Sequence, residues 1–167
     1  MPVHQWVVGG AIIERAGNLL LVQNRRRDRT LDWSPPGGVI EAGEQLVAGL
    51  AREVREETGV QVTAWTPAPL YRIDVLAPGM GWQLHVEVWG AVDFTGELTI
   101  NDPDGIVEQA RFVASSEVPQ LLAGNHPWVT EPTLAFLTDR WHHAEERTFG
   151  FDVDGDHPRR STVTRRR

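Results

Sequence analysis

The chain of 167 residues has no cysteine and no lysine. Without cysteine there is no disulfide framework, no thiolate metal site and no thiol nucleophile. Without lysine, any mechanism that needs a catalytic lysine is excluded, and all 16 basic residues are arginine. Long hydrophobic runs are missing too. No stretch approaches the roughly 18 apolar residues of a membrane span, and Met1-Pro2-Val3-His4-Gln5 does not resemble a secretory leader. These absences predict a soluble, cytoplasmic protein that makes no membrane contact.

What is present is a globular composition, 41% hydrophobic and 23% charged, in a length that suits one domain. The net charge of −7 hides an uneven distribution. Arg159, Arg160, Arg165, Arg166 and Arg167 crowd the last nine residues, so the first 158 carry 11 arginines against 23 acids. An acidic body speaks against a nonspecific nucleic-acid binder and suits a protein that holds a hard divalent cation. The Arg-rich end reads either as an RNA- or polyphosphate-binding arm or as a terminal strand whose charge discourages aggregation. We take the second reading.

The β-branched run 3–13 and the apolar run Leu19 to Gln23 predict a hairpin around Ala16-Gly17-Asn18. Asn24 to Asp32, with four arginines, predicts a loop, and Pro35-Pro36-Gly37-Gly38 a stop to regular structure. From Glu44 to Thr58 the period is helical. Val47, Leu50, Ala51 and Val54 form one apolar stripe, Glu44 falls in the first turn and Gly59 is the candidate C-cap. Strands are expected at 60–76 and 82–94, joined by Pro78-Gly79-Met80-Gly81, and at 109–114. Helices are expected at 116–123 and 130–146, the latter with Pro132 in its first turn. Thr148 to Val153 would pair with Ser161 to Arg165. This order suggests an α/β fold, a mixed β-sheet sandwiched between helices. The main domain would span 1–153, with 154–167 an Arg-rich extension that completes a terminal hairpin.

The chemistry concentrates in residues 38–60, GVIEAGEQLVAGLAREVREETGV. On a helical wheel with Glu53 at zero, Glu57 falls at about +40° and Glu56 at about −60°, so these carboxylates share an arc about 100° wide. Acids this close repel one another unless a cation lies among them, and Mg²⁺ favours such oxygen ligands. The alternative is a solvated acidic face flanked by Arg52 and Arg55. The glycines at both ends of the helix favour a site, because they bring backbone amides and carbonyls close to it.

Gly38, Glu44, Arg52-Glu53-Val54, Glu56-Glu57, Gly59 and Val60 stand at the spacing G-x5-E-x7-R-E-U-x-E-E-x-G-U, where U is a bulky aliphatic residue. The segment resembles the Nudix box at every fixed position, and Trp33-Ser34-Pro35-Pro36-Gly37-Gly38 resembles the usual lead-in of that family. The resemblance implies a Nudix fold and hydrolysis of a nucleoside diphosphate linked to a further group, with Mg²⁺ or Mn²⁺. It implies that Glu53, Glu56 and Glu57 are the catalytic metal ligands, joined by the Gly38 carbonyl. It also implies that Glu44 and Arg52 tie the loop to the helix as an ion pair. It is compatible with a homodimer.

Outside the box, Glu108 resembles an acidic position that serves metal binding or water activation in the family; the alternative is a solvated strand-edge glutamate. Glu87 lies in the polar register of its strand and could face the site, while Glu41 reads as structural or solvent-exposed and not catalytic. Arg25, Arg26, Arg27 and Arg29 could clamp phosphates or belong to a solvated loop. Trp33, Tyr71 and Trp82 could stack on a base or belong to the core. Trp6, Trp65, Trp89 and Trp141 read as packing. His142 and His143 read as neighbours on a helix pointing apart, and Asp152/Asp154/Asp156 as a turn. The substrate stays open between a noncanonical nucleoside triphosphate, a nucleotide sugar and ADP-ribose. Alternative functions are a nucleotide-sensing module without catalysis and an RNA 5′-end hydrolase. A diphosphate on an isoprenoid is a further option.

Overall fold

The computed structural model describes residues 2–167. The strands are β1 (His4–Ile12), β2 (Glu14–Arg15), β3 (Asn18–Arg25), β4 (Leu31–Ser34), β5 (Gly37–Val39), β6 (Gln61–Trp65), β7 (Tyr71–Ala77), β8 (Trp82–Thr95), β9 (Val107–Ala114), β10 (Arg147–Asp154) and β11 (Thr162–Arg166). The α-helices are α1 (Leu46–Thr58), α2 (Val118–Leu122) and α3 (Pro127–Asp139).

A seven-stranded sheet runs β11-β10-β7-β8-β1-β5, with β6 also on β8. It is mixed, because β1 runs parallel to β8 and β10 parallel to β7 while the other pairs are antiparallel. The smaller sheet is built on β3, which pairs with β2, β4 and β9. Alternation along β8 and β7 sends Val86, Val88, Tyr71, Ile73 and Val75 into the larger core, with Phe136, Trp141 and Phe149. There the Trp141 indole donates to the Leu70 carbonyl at 2.6 Å. The stripe of α1 buries Leu50 and Val54 completely in a second cluster with Ala11, Ile13, Leu20 and Val60. The larger sheet thus has α1 on one side and α3 on the other, as expected of a mixed sheet between helices.

Several boundaries depart from expectation. The hairpin at Ala16-Gly17 joins β2 to β3, whereas β1 finds its partners in β8 and β5. Gly37 and Gly38 do not end regular structure; their bare backbones pair with Gly10 and Gly9 as β5. Helix α1 begins at Leu46, so Glu44 precedes it instead of filling its first turn. Gly59 closes α1 with φ +80, its N–H donating a hydrogen bond to the Arg55 carbonyl, a conformation glycine adopts without penalty. Helix α3 starts at Pro127 and ends at Asp139, which leaves Pro132 inside it and His142-His143 beyond it. Those two imidazoles do not point apart, since their centroids are 3.8 Å from each other.

The C-terminal strand β11 is antiparallel to β10, and its arginines are used locally. Arg166 reaches the Asp74 carbonyl at 2.9 Å, and Arg165 lies over the Phe149 ring. No helix of the described residues is long and apolar enough to cross a membrane.

Candidate active site

Arg52 organises the start of the 38–60 segment. Its Nε and Nη2 donate to Glu44 at 2.9 and 3.1 Å, a forked pair that fastens the entry loop onto α1. Its Nη1 donates to Glu53 at 3.1 Å and to Glu56 at 3.2 Å. The hydrogen bond from Arg52 holds the Glu44 carboxyl below its ordinary range. At the other end, the 96–106 loop docks on the helix terminus: the amides of Thr99 and Asn101 donate to the carbonyls of Thr58 and Glu56.

Glu53 and Glu57 are each only 8% exposed. Burial lifts the Glu53 carboxyl, against the pull of Arg52. Burial pushes Glu57 up to about 8, against one hydrogen bond from the Gly37 amide at 3.0 Å and with Glu53 and Asp102 adding to the rise. A carboxylate removed from water beside other acids is the environment that a bound cation relieves. Gly38 closes the cradle, since a Cβ there would lie 2.6 Å from the Glu53 carboxyl.

Among the described residues no three carboxylates or imidazoles stand together as a finished metal cage. Glu57 is turned onto Gly37, while Glu53 and Glu56 are turned onto Arg52. The donor set nevertheless fits a hard cation. It is all oxygen, two of its carboxylates are buried, and what holds them aside is hydrogen bonding at flexible side-chain ends.

Glu53 and Glu57, but not Glu56, line a cavity of about 440 Å³. Gly37, Gly38, Glu41, Glu53, Glu57 and Asp104 line it, and so do Tyr71, Leu84, Val86, Val88 and Trp128. Asn24, Arg26, Ser34 and Asn125 complete its polar wall. A second concavity, about 510 Å³ between Trp6, Asp74, His85 and Arg166, contains no residue of the 38–60 segment. The chemistry therefore points to the first.

Of the residues expected to bind substrate, Tyr71 lines this cavity, but it is 1% exposed and its hydroxyl is 3.4 Å from Thr133. Trp33 is a core residue beneath the Arg111 guanidinium. Trp82 packs edge-on against Trp128 and lies outside the lining. Glu87 accepts from the Trp89 indole at 3.1 Å and pairs with Arg72, in the strand register opposite to that of Val86 and Val88. Glu108 is paired with Arg25 at 2.9 Å, where both are solvent-accessible. Arg27 is exposed. Glu41, expected to be structural or solvent-exposed, is exposed at the rim of the lining. Trp6, expected to pack, is 42% exposed.

Sequence reasoning missed Asn24, Asp104, Asn125 and Trp128. They come from separate elements and carry no shared spacing. The one available signal was a tryptophan within three residues of the expected start of α3.

Comparison with known proteins agrees with this geometry. The NUDIX domain profile matches residues 3–136. The CTP pyrophosphohydrolase of Escherichia coli is 33% identical over 101 residues, covering 60% of this chain and 72% of that protein. The RNA pyrophosphohydrolase of Caulobacter vibrioides is 29% identical over 148 residues, covering 80% of this chain and 86% of the other. Among solved structures, the MutT NUDIX hydrolase of Burkholderia pseudomallei superposes with a TM-score of 0.66 at 29% identity, covering 79% of this chain and 97% of that one. With the sequence pattern, the mixed sheet and the acidic helix all in agreement, the chain belongs to the Nudix hydrolase family.

Proposed function

We propose that this protein is a metal-dependent pyrophosphohydrolase that cleaves the diphosphate linkage of a small nucleotide by water attack at phosphorus. The observation that carries the reading is the mixed lining of the cavity. Glu53, Glu57, Asp104 and the Gly37-Gly38 backbone line it together with Trp128 and the apolar Leu84, Val86 and Val88 of β8. The acidic groups suit a metal-bound diphosphate, and the aromatic and apolar ones suit the planar group attached to it.

Glu53, Glu56, Glu57 and the Gly38 carbonyl would hold Mg²⁺ or Mn²⁺. When bound, the metal supplies charge neutralisation on the phosphoryl oxygens and an acidified water. The chain's own part is positional. Arg52 holds the carboxylates of Glu53 and Glu56 and, through Glu44, anchors the loop that joins Gly38's strand β5 to α1. Asp104, which lines the cavity with Glu53, is the residue we assign to orienting or deprotonating the attacking water; Glu108 pairs with Arg25 and is not among the lining residues. The acidic body and the locally paired C-terminal arginines support a small nucleotide over a long RNA.

The test is hydrolysis of nucleoside triphosphates, nucleotide sugars, ADP-ribose, dinucleoside polyphosphates and a 5′-triphosphorylated RNA, with and without Mg²⁺, with products resolved by mass. Metal-dependent cleavage that is lost in Glu57→Gln supports the proposal. Nucleotide binding without turnover of any substrate would overturn it in favour of a sensing module.

A further inference from the structure

Where β3 leaves its ladder with β9, the register steps past Glu108: Gln23 faces Gln109 and Asn24 faces Val107. Such a bulge re-aims the side chains around it. Asn24 is only 6% exposed and lines the cavity. Its amide can point one way only. Nδ2 donates to Asp32 Oδ1 at 3.1 Å and to Ser34 Oγ at 3.0 Å. An ionised Asp32 accepts and cannot donate, so the flipped amide would set oxygen against oxygen. Asp32 is itself fixed, because Arg26 donates to both of its oxygens, at 2.5 and 2.8 Å.

Both amide hydrogens of Asn24 are therefore engaged, and among the described residues its Oδ1 accepts from no group. The other amide on this wall differs. Asn125 donates to the Trp33 carbonyl at 2.8 Å and accepts from the His126 amide at 2.7 Å, so both of its ends are occupied. Among the described residues no fully buried side-chain polar atom lacks a partner, so this oxygen is reached by solvent at the wall of the cavity its residue lines, an acceptor of fixed orientation open to a ligand donor.

The chemistry of that donor follows from its surroundings and rests on the proposed function. The apolar wall of Leu84, Val86, Val88 and Trp128 suits the flat faces of a nucleobase. An acceptor on a wall shared with such side chains meets a group that projects from the ring, and the projecting donor of a base is an exocyclic amine. We infer that Asn24 is the specificity-determining residue of this cavity, selecting nucleotides whose base carries an exocyclic amine over their oxo counterparts. Cytosine would be favoured over uracil, and adenine over hypoxanthine. An oxo group would place two acceptor oxygens face to face, and a site that hydrogen-bonds one base discriminates against the unmatched one.

The experiment compares kcat/KM for CTP against UTP and for ATP against ITP, with Mg²⁺, in wild type, Asn24→Ala and Asp32→Asn. Wild type should prefer the amine by about 100-fold or more in its better pair, as expected where a site hydrogen-bonds its substrate. Asn24→Ala should bring that ratio to within about threefold by removing the acceptor. Asp32→Asn replaces an obligate acceptor by a group that can donate, so the Asn24 amide can turn its Nδ2 to the cavity. Its ratio should fall at least tenfold, with the oxo substrate gaining in absolute terms. A purely structural role for either residue would lower both members equally and leave the ratio unchanged, which overturns the inference. So does a wild type that hydrolyses both members of each pair at equal rates. Should Asn24→Ala fail to fold, the Asp32→Asn ratio decides alone. Failure of wild type to cleave any nucleotide is a different result, and it overturns the proposed function together with this inference.

Discussion

Glu57→Gln should make the metal-free protein more stable while removing its activity. Glu57 is 8% exposed, and its one hydrogen-bond donor among the described residues is the Gly37 amide at 3.0 Å. Glutamine has the same shape and keeps an oxygen for Gly37. It also removes a negative charge that faces Glu53 and adds a donor that Glu53 can accept. A buried polar group short of partners costs about 1–3 kcal/mol, and more when charged, so we take about 2 kcal/mol as the gain. For a chain of this length about 1 kcal/mol moves Tm by roughly 2–4 °C, which places the variant about 4–8 °C above wild type.

The assay is thermal unfolding at pH 8, first in chelator and then across a Mg²⁺ titration. At a Mg²⁺ concentration 100 times Kd, binding contributes about 2.7 kcal/mol to wild type. The variant, lacking one anionic ligand, should gain far less, so the order of the two melting temperatures should close or invert. Two results would refute the reasoning. A variant that melts below wild type in chelator would mean that the carboxylate is held by favourable contacts, and that the site imposes no strain on the fold. Equal Mg²⁺ stabilisation of both proteins would mean that Glu57 is not a ligand.

Gly38→Ala places a methyl group 2.6 Å from the Glu53 carboxyl, a flexible end that can swing away. Stability should change by less than about 1 kcal/mol while Mg²⁺ affinity falls about 10- to 100-fold, as read by calorimetric titration. Unchanged affinity would show that Glu53 need not occupy its present position. Trp141→Phe removes the indole bond to the buried Leu70 carbonyl and should cost about 1–3 kcal/mol in urea unfolding with kcat/KM unaltered. A kinetic loss without a stability loss would contradict its assignment to the core. His126 tests the pH dependence. The residue as a whole is exposed, but one face of its ring is covered by Trp128 at 4.2 Å. Desolvation, then Arg26, hold the imidazole below its ordinary 6.5 against the opposing pull of Asp32. Below that value the unfolded chain takes up a proton that the folded chain resists, so this contribution to stability is complete above about pH 6.5 and is lost as the pH falls through it. The stability of wild type relative to His126→Gln should therefore shrink between pH 7.5 and 5.5; a constant difference would show that His126 is solvated like any surface imidazole.

The parts of this molecule that were legible in its sequence are those whose determinants are contiguous. The stripe Leu50 and Val54, the exit glycine Gly59 and the carboxylates Glu53, Glu56 and Glu57 all lie within about four turns of one helix. Periodicity and capping rules act at that range. The partner of β1 was not legible. Local turn chemistry favours a hairpin with β3, yet β1 runs parallel to β8, beginning with His4 opposite Trp82. No short-range rule predicts a parallel pairing between strands so far apart. Helix α3 was displaced for a related reason. Pro132 reads as a first-turn proline, but Pro127 occupies that role, and the N-cap His126 has no side-chain bond that would have marked the start.

The tryptophans and the acids of the 96–106 loop show where such reading ends. Trp6 and Trp33 are both strand residues, yet one is 42% exposed and the other 9%, because strands distant in sequence decide what covers each ring. In the loop, Asp102 and Asp104 are two residues apart and chemically identical. Asp102 spends its oxygens on the amides of Asp104, Ile106 and Val107, which folds the loop. That fold turns Asp104 toward the cavity that Glu53 and Glu57 also line. One acid is structural so that the other can face the site, and exchanging their roles would leave composition, charge and spacing unchanged. The distinction exists only once Asn101 has docked on the Glu56 carbonyl, a contact between a helix end and a loop more than forty residues further along the chain.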